Sequence, residues 1–397
     1  MRLLLSQDGS GELTESAATN FLTRLTIVCS LVGILFSSLL HSAFIEYCFS
    51  LKLRVSAYVL IVITEDLDEY RLCWAMHDSH TILRKTADDK QQITVHLLNK
   101  GATIAGISLN GFGVHSQSDV VLSYPSADEF DSDPYYLRAT AGPVANRLKD
   151  GCFDLLNRNH AVEINEPARS NVLHGGVNGL DQQTFQASPT RADNAVVFSL
   201  ALPHLTDGFP GDRLITVRYE LLEDLSLQFD FAASTDRITV MNLANHAYFN
   251  LGGPLYDHEL TVNAGHYTPV NNQLIPGGEI APLKGSSLDY SHWKVLGDTA
   301  IDHNFVLPED GKLRRAASLR LPATQLQLDV LTTQPGLQVY TGDGLNTPFA
   351  PRSGICLEAQ GFPDAPNQPN FPNIALEPGA TYRQRTIYQF KEIAPSL

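Results

Sequence analysis

Five polar side chains stand out in this chain because each interrupts an apolar or alternating run of residues. They are Arg147, His174, His246, Asp302 and Glu358. Together they offer one guanidinium, two imidazoles and two carboxylates. A carboxylate can take a proton from a hydroxyl group while an imidazole donates one elsewhere on the same molecule. Because Asn, Asp, Gln and Arg side chains hold hydroxyl groups through hydrogen bonds, the set suits proton transfer on a polyhydroxylated ligand.

The local sequence around these residues favours fixed positions. His174 is followed by two glycines, which allow the backbone to approach a ligand closely. Glu358 ends the apolar run Ile355–Leu357 and precedes an irregular polar loop. The prolines of that loop are Pro363, Pro366, Pro369 and Pro372. Each proline fixes its own φ and restricts its predecessor, so the loop is predicted to be stiff. A surface loop after an edge strand is the alternative interpretation.

Each cluster also has a purely structural interpretation. A histidine beside aromatic residues, such as His246, is often a packed and hydrogen-bonded core residue. The glycines after His174 equally suit a turn. Arg147 could pair with Asp150, which would be a surface contact of little energetic weight. Asp302 could cap a turn through its own backbone. No single cluster decides between these interpretations.

Two histidines and one carboxylate also form a ligand set that suits iron or zinc. Sites of that kind usually take two of their ligands from positions close in sequence, whereas His174, His246 and Glu358 are far apart. We therefore expect no metal and no cofactor. A serine nucleophile is unsupported because the chain contains no GxSxG elbow.

Strands are the elements that must position these residues, since from about Gln91 onward apolar and polar residues alternate with a period of two. The clearest runs are Ile215–Tyr219, Leu225–Phe231 and Leu326–Val330, and turn-forming Gly, Pro and Asp residues separate such runs. We find no sustained apolar period of 3.6 residues and no strand–helix–strand alternation. The pattern predicts an all-β protein, a large antiparallel β-sandwich formed by a single domain over residues 86–397.

Composition limits the partners and the compartment. The chain has 397 residues and a formal net charge of −15, from 28 basic and 43 acidic residues. A nucleic-acid surface needs concentrated Lys and Arg, so we expect no nucleic-acid partner. The five cysteines are scattered, with no CxxC pair, which argues against a disulfide framework or a structural zinc site. The oligomeric state cannot be deduced from these features.

Residues 1–75 form an N-terminal extension that does not resemble the remainder. Residues 25–45 carry no formal charge and are long enough to cross a bilayer as a helix, although they include several serines. A membrane anchor, a degenerate signal and an upstream segment that the cell does not translate all stay open. We expect a cytoplasmic protein, with membrane contact only if residues 25–45 are a real anchor.

The polar clusters belong to seven longer blocks that resemble the aldose 1-epimerases, also called galactose mutarotases, over essentially all of residues 91–397. The blocks occur in family order: ANRLKDGCF (145–153), NVLHGGVNGLD (171–181), NHAYFNLGG (245–253), TPVNNQLIPGGEI (268–280), DHNFVL (302–307), QPGLQVYTGD (334–343) and GICLEAQGFPDAPNQPNFP (354–372). The family fold is a large antiparallel β-sandwich.

The resemblance implies roles for individual residues. Glu358 matches the general base that removes the anomeric hydroxyl proton, and His246 matches the general acid that protonates the ring oxygen. The ring then opens, C1 rotates and the reverse transfers give the other anomer. The residues that match sugar-binding positions are Asn146, Arg147, His174, Asp302 and Gln338. The substrate implied is a free aldohexose such as galactose or glucose.

Two departures from the family pattern concern substrate preference. Pro143 replaces an arginine found in many relatives, and the Tyr-rich lead-in is reduced to Pro134-Tyr135-Tyr136. A sugar-phosphate epimerase and a non-catalytic sugar-binding or regulatory module on the same fold are the alternative functions. The first would need a cluster of cationic side chains for the phosphate, and the second would need neither the base nor the acid.

Overall fold

The structure is a computed structural model that describes residues 80–394, except 88–90, 115–116, 125–126, 193 and 309. The N-terminal extension, residues 1–75, and the apolar segment 25–45 lie outside the described residues. Within the described part of the chain, no helix is both long and apolar enough to cross a membrane. The predictions about the extension therefore stay predictions.

The described residues form strands joined by turns and short 3₁₀ helices. The first strands along the chain are β1 (His80–Thr86), β2 (Gln92–Leu98), β3 (Thr103–Asn110), β4 (Gln117–Asp119), β5 (Thr140–Ala141), β6 (Arg147–Leu148), β7 (Cys152–Leu155), β8 (Arg158–Ala161), β9 (Val172–Leu173), β10 (Gln186–Pro189), β11 (Ala195–Leu202), β12 (Arg213–Leu221) and β13 (Leu227–Thr235). The later strands are β14 (Thr239–Val240), β15 (Ala244–Asn245), β16 (Tyr248–Phe249), β17 (Glu259–Val262), β18 (His266–Thr268), β19 (Ala281–Pro282), β20 (Lys294–Val295), β21 (Asp302–Val306), β22 (Arg314–Leu321), β23 (Leu326–Thr332), β24 (Gly336–Tyr340), β25 (Ile355–Gln360), β26 (Ala375–Leu376) and β27 (Tyr382–Glu392). The 3₁₀ helices are Ala127–Ser132, Lys149–Gly151, Leu180–Gln182, Thr206–Gly208, Leu255–Asp257 and Ala365–Asn367.

Three larger sheets organise these strands. A nine-stranded sheet has the order β10-β11-β12-β13-β27-β23-β22-β17-β20, a six-stranded sheet has the order β16-β25-β24-β21-β18-β19, and a four-stranded sheet runs β1-β2-β3-β4. Their strand pairs are antiparallel. The predicted all-β antiparallel architecture is confirmed. Strand β1 begins at His80, before the predicted domain start at residue 86. The predicted boundary stays a prediction.

The alternation of apolar and polar residues in the sequence explains which side chains of the nine-stranded sheet are buried. Along β12 the even-numbered side chains are exposed or half-buried, and the odd-numbered side chains are buried. Val217 of β12 lies opposite Phe231 of β13, so both apolar side chains fall on the same face. A register shift of one residue would move every apolar side chain of β12 to the outer face.

One apolar core joins the three sheets, because buried side chains from each of them belong to the same cluster. The ring of Phe249 in the six-stranded sheet contacts the ring of Tyr388 in the nine-stranded sheet, with centroids 4.9 Å apart and ring planes at 84°. The hydroxyl of Tyr219 donates to the carbonyl of Ala102, next to the four-stranded sheet, at 2.7 Å. The first contact holds the six-stranded sheet against the nine-stranded sheet, and the second holds the four-stranded sheet against the nine-stranded sheet.

Strand β25, the second strand of the six-stranded sheet, is buried on both faces. All six residues of β25 are buried. Ile355, Leu357 and Ala359 belong to the apolar core, so Glu358 and the other even-numbered residues of β25 face the opposite side. That second face lies beneath the polar cavity described below.

We predict that Phe249→Ala lowers the free energy of unfolding by about 3–5 kcal/mol, because it removes a fully buried ring between two sheets. Urea unfolding followed by circular dichroism measures the change. Leu214→Ala on β12, where the side chain is 50% exposed, is the control and should change the free energy by no more than about 0.5 kcal/mol. Equal effects of the two substitutions would contradict this account of the core.

Candidate active site

A cavity of about 730 Å³ opens over the polar face of the six-stranded sheet. Six of the residues singled out in the sequence line it, namely Asn146, Arg147, His174, His246, Asp302 and Glu358. They come from distant parts of the chain, and the sheets bring them together. Gln338 does not line the cavity.

Glu358 and His246 form the closest acid–base pair in this cavity. Glu358 lies within β25, and His246 lies between β15 and β16. Nε2 of His246 is 3.7 Å from Oε1 of Glu358, and both side chains are buried. A small hydroxylated molecule in contact with both groups could lose one proton and gain another without rearrangement of the protein.

His174 lies beside this pair and presents one ring nitrogen to the cavity. Its Nδ1 accepts a hydrogen bond from the backbone N–H of Asn146 at 3.2 Å. Both residues have a positive φ, 52° for His174 and 62° for Asn146, and this strained backbone brings the two together. Because Nδ1 accepts, the neutral ring carries its proton on Nε2. His174 is therefore a hydrogen-bond donor.

Arg147 is held by a carboxylate that the sequence reasoning missed. Its Nε and Nη2 donate to the two oxygens of Glu166 at 2.9 and 3.0 Å. The predicted alternative partner Asp150 instead lies 4.0 Å from Lys149. Arg147 Nη1 also lies 3.8 Å from Asp302, so the guanidinium links two carboxylates. The bidentate geometry fixes the guanidinium plane.

Asp302 is positioned from the sheet side by Gln338. Nε2 of Gln338 donates to Oδ1 of Asp302 at 2.6 Å. Since a carboxylate only accepts, the amide nitrogen must face Asp302 and the amide oxygen must face away. Gln338 also lies opposite Glu358 on the neighbouring strand.

Burial is the largest cause of the pKa shifts of Glu358, His246 and His174. It raises the pKa of Glu358 well above its usual range, with a further rise from Asp302 and an opposing effect of Arg147. Burial lowers the pKa of His246 to about 4 and holds the pKa of His174 well below its usual range. Burial therefore favours the uncharged pair, in which Glu358 carries the shared proton and both imidazoles are neutral.

Aromatic side chains and one thiol complete the surroundings of the imidazoles. The ring of Tyr136 lies 4.6 Å from His174 and 6.1 Å from His246. Sγ of Cys356 lies 3.5 Å from Nδ1 of His246. Tyr136 and Cys356 were not singled out from the sequence, although both belong to segments quoted there. Their neighbours across the sheets are not visible in a linear pattern.

The three groups that could bind a metal do come close, since ligand atoms of His174, His246 and Glu358 lie within 4.8 Å of one another. Sequence separation was therefore a weak argument against a metal. The hydrogen bonds give a stronger one. A metal-binding imidazole usually donates its second N–H to an acceptor, whereas Nδ1 of His174 accepts from a backbone N–H. The free lone pair of His174 is thus already used.

Comparison with known proteins identifies the family. A sequence model of the family described as aldose 1-epimerase matches residues 84–389. Galactose mutarotase of Sus scrofa is 35% identical over 318 residues, which cover 75% of this chain and 91% of the relative. Aldose 1-epimerase of Escherichia coli K12 is 31% identical over 324 residues, covering 75% and 92%.

Solved structures agree with this. An aldose epimerase homologue from C. elegans has a TM-score of 0.73 and 25% identity, and covers 79% of this chain and 100% of the homologue. A galactose 1-epimerase from Lactobacillus acidophilus has a TM-score of 0.69 and 26% identity, with coverage of 79% and 99%. The fold and the cavity thus define a sugar-isomerase β-sandwich, and the chain belongs to the aldose 1-epimerase family, as its sequence blocks predicted.

We predict that His174 keeps its proton on Nε2 between about pH 5 and 8, because its Nδ1 accepts from Asn146 and its pKa is lowered by burial. Long-range ¹H–¹⁵N spectra measure the tautomer. His258 is an internal control of the opposite kind, since its Nε2 accepts from Leu251 and its Nδ1 faces the carbonyl of Pro254. A switch of the His174 tautomer on addition of Zn²⁺ would show a metal site and contradict the argument above.

Proposed function

We propose that this chain interconverts the α and β anomers of a free aldohexose such as galactose or glucose, with Glu358 as the base and His246 as the acid. The observation that carries the proposal is the buried pair at 3.7 Å facing a cavity of sugar size. Family membership supports the reaction. The spatial arrangement supports the residue roles.

Each proton has a defined route in this proposal. Glu358 as carboxylate takes the proton of the C1 hydroxyl, while His246 as imidazolium gives its Nε2 proton to the ring oxygen. The C1–O5 bond breaks and C1 becomes an aldehyde. After rotation about C1–C2, the carboxylic acid returns its proton to the C1 oxygen and the imidazole takes one back from the O5 hydroxyl. The ring closes on the other face of C1.

The pair of Glu358 and His246 shares one proton, which lies on His246 before ring opening and on Glu358 after it. Its net charge is therefore zero in both states. This suits a buried site, because a change of net charge there would be costly. Burial favours the uncharged form of the pair, which is the form present when the sugar is open. The site therefore supports the high-energy, open-chain stage of the reaction.

The neighbouring residues support sugar binding. His174 donates through Nε2, Asp302 accepts through an oxygen free of Gln338, and Arg147 donates through Nη1. Asn146 contributes by fixing its neighbours, because its side-chain oxygen accepts from the backbone N–H of Arg147 at 2.9 Å. These four roles remain predictions. A hexose with ring hydroxyls on several faces matches this mixture of donors and acceptors.

A sugar phosphate fits this cavity less well. Arg147 and Arg169 both line it, but each is paired with Glu166, and Arg169 lies 2.8 Å from that carboxylate. Because Arg147 also lies 3.8 Å from Asp302, two carboxylates already compensate the two positive charges. A sugar-binding module without catalysis would not need a buried acid–base pair. The cytoplasmic location and the alternative anchor at residues 25–45 both stay predictions.

We predict that Glu358→Gln and His246→Asn each lower kcat by about 10²–10⁴, the usual contribution of a positioned proton transfer. Polarimetry of freshly dissolved α-D-galactose, corrected for the spontaneous reaction, measures the rate. Circular dichroism controls for folding. A variant that kept its rate within about threefold of the parent would not carry the assigned role.

We predict that the rate falls below about pH 4, where His246 and Glu358 are both protonated, and falls again above the raised pKa of Glu358, where the pair loses its proton. Asp302→Asn removes a negative charge that raises the pKa of Glu358. The alkaline limb of the kcat profile should therefore move to lower pH, whatever the loss in height. A limb that stayed in place or moved upward would contradict the electrostatic assignment.

A further inference from the structure

Beside the base, on the same face of the six-stranded sheet, lies a row of buried polar side chains that includes Asn304 and Gln360, to which the sequence analysis assigned no role. Thr268, Asn304, Gln338 and Glu358 lie opposite one another on the neighbouring strands β18, β21, β24 and β25. Directly opposite residues have Cβ atoms about 4.5–5.5 Å apart and share a face. Gln360 joins them, since it lies two residues beyond Glu358 on the same strand.

These side chains are buried and incompletely hydrogen-bonded. Asn304 is 1%, Gln360 0% and Glu358 2% exposed. Within the described part of the chain, both amide atoms of Asn304, both amide atoms of Gln360, Oε1 of Gln338 and Oε2 of Glu358 have no hydrogen-bond partner. Buried polar atoms in proteins are nearly always hydrogen-bonded, to protein or to ordered water. Such a concentration next to a base therefore indicates a function.

The register brings the two amides together next to Gly336. Gly336 of β24 pairs with Gln360 of β25, and a methyl group on Gly336 would collide with Oδ1 of Asn304. The side chain of Asn304 therefore lies over the glycine, on the side where Gln360 begins. Each amide supplies two N–H donors, whereas Gln338 and Glu358 present acceptor oxygens to this region.

We propose that Asn304 and Gln360 are positioning residues for the base, and that together with ordered water beside Gly336 they hydrogen-bond the buried oxygen Oε2 of Glu358. This leaves Oε1 directed at His246 and at the anomeric hydroxyl of the sugar. Gln338 donates to Asp302 and, among the described residues, makes no hydrogen bond to Oε2 of Glu358. The proposal rests on the function proposed above, since it assigns to Glu358 the role of base.

The amides have a second effect, on the charge of the base. Donors that face Oε2 stabilise the carboxylate, which burial and the charge of Asp302 disfavour. Arg147 lowers the pKa of Glu358 and acts from the cavity side. The neutral ring of His246 also lies on the cavity side. The thiol of Cys356 lies two residues from Glu358 on the same strand. The two amides lie on the same sheet face, beside the base and outside the lining of the cavity.

Asn304→Leu and Gln360→Met test the proposal, because they keep the approximate volume and remove the polar atoms. We expect each to lower kcat by about tenfold or more, as a displaced catalytic group does, with KM changed less than about twofold. The unfolding midpoint should fall slightly, because each substitution leaves the other partner of the hydrogen bond buried and unpaired. A purely structural role would also lower the midpoint but would leave kcat unchanged.

Thr239→Val is the matched control. It also removes a buried hydroxyl without a partner, but it lies on β14, outside the six-stranded sheet. It should leave kcat, KM and the pH profile as in the parent.

The alkaline limb of the kcat profile should move to higher pH in the two amide variants, since Glu358 would lose donors to its charged form.

Infrared difference spectra of Glu358 provide a readout that does not depend on activity. The carbonyl band of its protonated carboxyl group, identified by its loss in Glu358→Gln, should shift in Asn304→Leu and Gln360→Met and persist to higher pH. An unchanged band together with kcat within threefold of the parent would overturn the proposal. An inactive parent protein would overturn the proposed function instead, and the infrared result would still test the hydrogen bonds.

Discussion

The burial of an ionisable carboxyl group inside a sheet is the constraint on which the site depends. Glu358 lies on β25, an interior strand of the six-stranded sheet, with apolar core on one face and the cavity on the other. A charge in such a position is costly unless hydrogen bonds or opposite charges compensate it. The surrounding side chains compensate these charges so that the pair of Glu358 and His246 keeps one proton.

Two arginine–carboxylate contacts compensate the charges around this pair. Arg147 binds Glu166 through two hydrogen bonds and lies near Asp302, so a buried guanidinium is compensated without use of Glu358. That arrangement leaves the base free to change its protonation state. His246 has an uncharged neighbour, Cys356, at its second nitrogen rather than a carboxylate. A carboxylate there would stabilise the imidazolium and make it a weaker acid.

The same sheet face combines rigidity with polarity. The aromatic contact of Phe249 with Tyr388 fixes the sheet against the nine-stranded sheet, so the catalytic side chains gain fixed positions from the core. Close positioning of reacting groups accounts for much of the rate in reactions of this type. The amides of Asn304 and Gln360 extend this arrangement along the sheet face beside the base. Their polar atoms make the interior less stable than an apolar layer would, which is a common property of functional sites.

The sequence by itself determined the fold class, because alternation with a period of two is a local property and needs no knowledge of partners. It also determined the family and named six residues that line the cavity, since contiguous blocks such as 245–253 and 354–372 retain the chemistry. The tertiary structure decided which groups face one another. The partner of Arg147 is Glu166 rather than the nearby Asp150, and the three metal-capable groups meet despite their separation in sequence. It also decided which ring nitrogen of His174 carries the proton and which polar side chains lie beside Glu358 on the same sheet face. Strand register and backbone conformation set these contacts, and both depend on how distant strands pair within one core.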